Sequence, residues 1–480
     1  MKILFIAPLP PPVHGSSMVS KYIKESTLIQ ESFDCDFVNL STSRTMDEIG
    51  KGGLKKIFRF LGSLCSLLGK LLTHRYDLCY IAITCHGMGF LKDAPFALLC
   101  KLFGRKLLLH QHNKGMSRDC NRWPYRWLMP LVYRNATVML LSWHLYEDIS
   151  AVVKREQVIV CPNGVPPLDN ENLAAELRAT INVERGTRGH ACVYDNENDN
   201  LFKSTEFILG QQNLDANSQN ARITSLACGH PDEMSNLTQT TQKTQNISIN
   251  ADNDTNIDSN SQNAHTQACA CHPDGTVDCC LSTVDTITDG EAPRLLFLSN
   301  LIVSKGIYVL LEACQRLKER GVAFHCDYVG GESKEVTGEQ FRKAIAERGL
   351  EDCVIYHGPQ YGADKDRAFR RADIFVQPTF DDCFPLTLVE AMQYRLPIVS
   401  TDVGAIPDIV TDGVNGLVCK QQDVDSLVEA LTTLLADAAL RREMGERGHA
   451  RYLKEMTLEA FEKSFAEALR STVNRIGGAG

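Results

Sequence analysis

No stretch of the 480-residue chain holds the ~18–20 uninterrupted apolar residues that a membrane-spanning helix needs. A secretory leader is also missing: Met1–Pro8 offers one lysine and a five-residue apolar run before prolines intervene. Both absences lead us to expect a cytoplasmic protein. The full G-x-G-x-x-G fingerprint is absent, which argues against a dehydrogenase. Eighteen cysteines are present, but zinc-module spacing is not. Cys228, His230, Cys269, Cys271, His272, Cys279 and Cys280 fall in C-x-H, C-x-C-H and C-C arrangements, so no metal site is expected. Cys65, Cys79, Cys100, Cys314 and Cys326 sit singly in apolar segments and read as free core thiols.

What is present reads as an α/β protein. KILFIA (2–7) is a buried-strand run, followed by Pro8, Pro10, Pro11 and Pro12, which forbid helix until Gly15. Strand, glycine-bearing loop and helix make the opening unit of a parallel sheet. Further strand runs are 76–83, 105–112, 136–142 and 157–165, with a helix over 93–103. A second set begins at Arg294: strands at 294–300, 324–331, 354–359, 372–378 and 397–404, with an amphipathic helix over 305–321. The tail is helical, with a break expected near Gly445–Gly448.

Between the two sets, apolar residues become scarce. Residues 167–290 are rich in Asn, Thr, Gln, Ser and Asp, too polar to offset chain entropy by burial. They contain a degenerate repeat, 215–232 against 258–274. We read a disordered polar insertion at 167–290 between domains spanning 1–166 and 291–456. A helix over 457–480 is expected to pack back on the first domain. Charge follows the same division. Residues 1–165 carry 21 Lys and Arg against 12 Asp and Glu, whereas residues 166–290 carry 6 against 18. A basic first part points to an anionic partner. Segments 55–75 and 123–134 mix basic residues with apolar and aromatic ones, a pattern suited to an anionic membrane surface.

The most specific pattern lies at 377–419. Asp382 and Glu390 stand eight apart around Phe384, Pro385 and Leu386, and Glu390-Ala391-Met392 follows. This region resembles the retaining glycosyltransferases of the GT-B fold, family 4-like (glycosyl transferases group 1). The resemblance spans nearly the whole chain outside 167–290. It implies two Rossmann-like, doubly wound domains facing a cleft. The first would hold the acceptor, the second a nucleotide-diphosphate sugar as co-substrate.

The resemblance also assigns roles. Glu390, placed on the first turn of a helix, would grip the donor ribose, and Asp382 would bond the transferred sugar. Phe384, Pro385 and Leu386 occupy the loop that ends in a helix N-terminus, whose backbone N–H groups and positive dipole end favour phosphate. Asp382 departs from the usual glutamate and is one methylene shorter. Lys305, in LFLSNLIVSKG (295–306), would neutralise the leaving diphosphate. Asn300 stands where arginine is frequent. Gly15 and Ser16 would approach the diphosphate. Of His110 and His112, at the end of a strand, His112 is the candidate near the reacting sugar. Asn163 and Gly164 read as a structural turn.

The expected partners are thus a nucleotide-sugar donor and a glycan or lipid-linked acceptor, without metal or nucleic acid. The alternatives are a GT-B sugar-nucleotide epimerase or phosphorylase, or a weakly catalytic binding or scaffold protein acting through the insertion.

Overall fold

A computed structural model describes residues 1–11, 15–41, 53–168 and 292–477. Residues 169–290 of the insertion, with its repeat and its cysteine–histidine cluster, lie outside the described residues. Two six-stranded sheets, parallel throughout, form two lobes.

In the first lobe the strands are β1 (Lys2–Ala7), β2 (Asp34–Asn39), β3 (Leu78–Ile83), β4 (Leu107–Gln111), β5 (Thr137–Leu140) and β6 (Val158–Val160). Their spatial order is β2-β1-β3-β4-β5-β6. The second lobe contains β7 (Arg294–Leu298), β8 (His325–Val329), β9 (Val354–Gly358), β10 (Ile374–Gln377), β11 (Ile398–Ser400) and β12 (Gly416–Val418). They lie in the order β12-β11-β10-β7-β8-β9. Strand order therefore reverses between β1 and β3 in one sheet and between β7 and β10 in the other. In open parallel sheets a crevice opens at this switch point, outside the carboxyl ends of the strands.

Central strands are apolar on both faces because helices cover both. Ile3, Phe5, Leu78, Tyr80 and Leu108 face one side, with Phe461, Phe465 and Leu469 of the helix Leu458–Gly477 packed over them. The chain returns to the first lobe at Val165, which bridges to Thr457; its N–H donates to Met456 O and its carbonyl accepts from Leu458 N. On the opposite face, a single apolar cluster runs from Leu4, Ile81 and Leu109 through Cys383, Phe384 and Leu388 to Phe375 and Ile398. The two lobes thus share buried apolar contact.

Several expectations need correction. β2 and β12 carry no strong apolar run: β2 is an edge strand with alternating polar residues, and β12 is only three residues, the first of them Gly416. The 93–103 helix starts earlier, at Gly87, and runs to Leu102 with Pro95 inside. Cys65 is exposed, because the helix Leu54–Thr73 buries only Leu67 and Leu71. Cys79, Cys100, Cys314 and Cys326 are buried and free.

Asn163-Gly164 makes no turn; a Cβ at Gly164 would sit 2.3 Å from Thr457 O, so glycine serves close approach. Nor does the tail break at Gly445–Gly448. The helix Ala438–Arg451 runs through both. Gly445 lets that helix lie against the Arg395 carbonyl, 2.0 Å from where a Cβ would stand. The actual interruptions are at Asp437, whose carboxylate caps the helix by accepting from Leu440 N at 2.9 Å, and at Thr457.

Gly445→Ala should therefore lower the melting temperature, by a destabilisation of roughly 1–3 kcal/mol from overpacking. Gly62→Ala, in an exposed helix with no atom within 4 Å of the new Cβ, should raise it slightly. Thermal unfolding of the two variants beside the wild type checks the contrast.

Candidate active site

The loops after β7 and β10 leave the second switch point side by side. Phe380 N and the Thr379 hydroxyl both donate to Ser304 O, at 2.9 and 3.0 Å. Gly306 makes this fit: its φ is +84°, and a Cβ there would lie 2.2 Å from Pro378 O. Gly404 does the same on the far side of the β10 loop, where a Cβ would lie 2.4 Å from Asp382 O. Both positions combine left-handed backbone with contact against a carbonyl, so only glycine fits.

This packing places Lys305 Nζ 2.5 Å from Asp382 Oδ2 and 3.3 Å from Asp381 O. Both side chains of the pair are largely buried. Asp382 is held further by Cys383 N on Oδ1 at 2.8 Å and by Gln377 Nε2 on Oδ2 at 3.4 Å. Gln377 is fixed in turn by the Thr387 hydroxyl at 2.7 Å. An ammonium has three N–H donors. Among the described residues, two of those on Lys305 go to Asp382 and Asp381, which leaves one for an incoming anion. Burial, then the neighbouring Asp382 charge, pushes the Cys383 thiol well up, so it stays protonated beside the pair.

Phe384 and Pro385 are buried, and the helix Leu386–Gln393 follows them. Since it begins at Leu386, Glu390 stands on its second turn rather than its first. One carboxylate oxygen, Oε1, accepts from Lys365 Nζ at 2.7 Å. The other, Oε2, is buried without a hydrogen-bond partner among the described residues. Leaving such an acceptor unsatisfied costs about 1–3 kcal/mol, more when charged, so the arrangement suits a hydroxyl-bearing ligand. Asn300 is occupied structurally: its Oδ1 accepts from Gly331 N at 3.1 Å and holds the turn after β8.

The first lobe reaches this site through two elements. The helix Gly15–Glu25 begins at Gly15, where a Cβ would meet nothing within 4 Å; protein packing does not demand that glycine. Ser16 lies on the first turn, and its carbonyl accepts from the Ser20 hydroxyl. Tyr22, on the same helix, is raised to about 12 by burial and then by the charges of Glu390 and Glu25. Leu386 packs against the apolar residues of this lobe.

The second element is the loop after β4. His112 is its first residue, with its ring centroid 4.0 Å from that of His110. His110 is fully buried, bonded through Nδ1 to the Tyr80 hydroxyl at 2.8 Å. Burial, with His112 nearby, drives its pKa well below the ordinary value, so His110 is a neutral core imidazole. The loop is clamped by Asn113, which accepts from Cys85 N, and by Asp148, which accepts from the amides of Gly115, Met116 and Ser117. Burial alone would raise the Asp148 carboxyl, but the Ser117 hydroxyl and these amides hold it below the usual range. Lys114, next in the loop, pairs with Asp381 at 3.3 Å and ties His112's loop to that of Asp382.

The structure thus joins Lys305 directly to Asp382 and brings the His112 loop and the Gly15 helix alongside through Lys114 and Tyr22. Sequence reasoning missed Lys114, Lys365, Gln377 and Asp381. Asp381 and Gln377, one and five residues before Asp382, had a local signal; Lys114 and Lys365 act across elements that no spacing relates.

Residues 285–451 match the family model described as Glycosyl transferases group 1. The amylovoran biosynthesis glycosyltransferase AmsK of Erwinia amylovora is 33% identical over 147 residues, covering 29% of this chain and 35% of that protein. The D-inositol 3-phosphate glycosyltransferase of Corynebacterium glutamicum (strain R) is 31% identical over 160 residues, covering 32% and 38%. The chain spans little more than a third of the length of these relatives. In fold it is similar to a sucrose-phosphate synthase from Thermosynechococcus elongatus, with a TM-score of 0.59 at 15% identity, over 98% of this chain and 99% of the other. Anabaena Alr3699/HepE, solved with UDP-glucose, gives 0.57 at 16%, over 98% and 100%. The architecture is GT-B, and the stretch that supplies Lys305, Asp382 and Glu390 is the one that matches Glycosyl transferases group 1.

Proposed function

We propose that the protein moves a sugar, with retention, from a nucleotide-diphosphate sugar to a hydroxyl of a lipid-linked or polysaccharide intermediate. The observation that carries this reading is the Lys305–Asp382 pair at the second switch point, together with a buried Glu390 oxygen that has no hydrogen-bond partner among the described residues. The remaining N–H of Lys305 is available to the leaving diphosphate, whose growing charge it stabilises. Glu390 Oε2 accepts from a ribose hydroxyl. Asp382 stands next to the diphosphate position, where its oxygens bond the transferred sugar, and His112 approaches that sugar from the other lobe.

The bond from anomeric carbon to phosphate oxygen breaks as the acceptor oxygen bonds to the same face of that carbon. The acceptor proton passes to the departing phosphate, and no protein base is needed. Enclosure between the lobes excludes water and brings the two reactants together. Because lysine and backbone dipoles supply the positive charge, we propose a reaction without a metal. The HepE structure with UDP-glucose supports the donor class, and the name of AmsK, an amylovoran biosynthesis glycosyltransferase, supports a biosynthetic acceptor.

The first lobe also suits an anionic membrane surface. Ile57, Phe58 and Leu61 on the helix Leu54–Thr73 are exposed, as are Trp123, Trp127 and Leu131 around the helix Tyr125–Tyr133. The helix Gly87–Leu102 packs against both and exposes Met88 and Leu102. Lys55, Lys56, Arg59, Arg122 and Arg126 lie among them. Such a mixed face gains from apolar insertion and from attraction to acidic headgroups. No helix among the described residues is long and apolar enough to cross a membrane.

Lys305→Ala should lower turnover at least about 100-fold, the scale of losing a preorganised charge-stabilising donor. Nucleoside diphosphate release with sugar nucleotide and acceptor measures it, and wild-type turnover in this variant would refute the site. The wild-type rate should be unchanged in EDTA. Replacing Trp123 and Trp127 together by Ala should weaken binding to acidic vesicles by at least about 10-fold, since each ring withdraws apolar burial of roughly 1.5–3 kcal/mol. Vesicle co-sedimentation at rising salt reads both contributions, and no change in the double variant would remove this face from the proposal.

A further inference from the structure

The mechanism above uses Glu390 but not the residue that holds it. Lys365 lies on the helix Ala363–Arg371, in the segment between β9 and β10, and its ammonium reaches Glu390 Oε1 at 2.7 Å. Both side chains are mostly shielded, at 30% and 22% exposure, so this is not a loose surface pair. The Lys365 ammonium also stands 5.9 Å from the Phe369 ring centroid, one turn along its helix. Glu390 Oε2 is buried without a hydrogen-bond partner among the described residues. Tyr22 of the first lobe lies close enough to feel the Glu390 charge.

The last torsion of a glutamate is broad, so an untethered carboxylate samples many orientations. A charge-assisted bond to one oxygen removes that freedom and fixes where the other oxygen points. Resting on the donor-site reading above, we infer that Lys365 is a positioning residue: by holding Oε1 of Glu390 it presents Oε2 as the acceptor for a donor ribose hydroxyl. Lys365 then sets the discrimination between ribose and deoxyribose rather than the affinity for the diphosphate. A hydrogen bond to a charged group confers about 10-fold or more in affinity, which is the size of the discrimination at stake.

The test is titration calorimetry of UDP and GDP, each with its 2′-deoxy and 3′-deoxy counterparts, against the wild type and variants of matched melting temperature. The wild type should prefer the ribonucleotide over at least one deoxy form by about 10-fold or more. In Lys365→Met that preference should collapse to within about 3-fold, with affinity for the disfavoured deoxy form unchanged, because only the hydroxyl bond is lost. Lys365→Arg should retain the preference. Lys365→Gln replaces the methionine variant should that one not fold.

A preference that survives in Lys365→Met overturns the inference. So does an equal weakening of ribo and deoxy forms, which would make Lys365 a charge for the diphosphate. Glu390→Gln separates the two levels of the argument. If that variant keeps the full preference, or if the wild type binds neither nucleotide, the donor-site reading itself falls and the inference with it.

Discussion

An ammonium 2.5 Å from a carboxylate, at the point where strand order reverses, organises this protein. Lys305 and Asp382 come from loops 77 residues apart in the chain. They meet because Gly306 and Gly404 let the β10 loop be gripped by carbonyl contact on both sides. Taken alone, such a pair adds little to stability, because desolvating both charges offsets most of their attraction. Its value is positional. It anchors a cation that retains one donor and a carboxylate whose remaining valence is aimed by Cys383 N and Gln377.

The same logic extends outward. Glu390 is steadied by Lys365, Asp381 by Lys114, and the Lys114 loop by Asp148 and Asn113. Each acceptor in this chain of contacts is held by a donor from a different element. The two lobes meet through the Lys114–Asp381 pair, the packing of Leu386 and a shared apolar cluster. A site assembled in this way depends on both lobes, although the family match falls on one of them.

Much of the architecture was legible in order along the chain. Central strands are apolar runs because they are covered on both faces, so β1, β3, β4, β7 and β10 announce themselves. β2 and β12 do not, since a polar edge strand and a three-residue strand that begins on glycine have little to bury. Glycine proved the most ambiguous residue. Gly445 resembles a helix break but serves close packing, and Gly164 resembles a turn but makes room for Thr457 O. Composition cannot separate these uses, because each depends on what approaches from elsewhere in the fold.

Asp382 and Glu390 were recognisable because they stand eight apart in one stretch, and Lys305 because the residues around it, 295–306, resemble a family segment. The sequence by itself determined the two parallel sheets, the polar interval between them, and the chemistry available at the carboxyl ends of the strands. Tertiary structure alone decided which charges face one another. It turned His110 into a neutral core residue bonded to Tyr80, spent Asn300 on the Gly331 turn, and brought Lys365 and Lys114 to their acidic partners. The reason is physical. Apolar periodicity is written locally, whereas a charge acts over a few ångströms of space that the chain reaches only after folding.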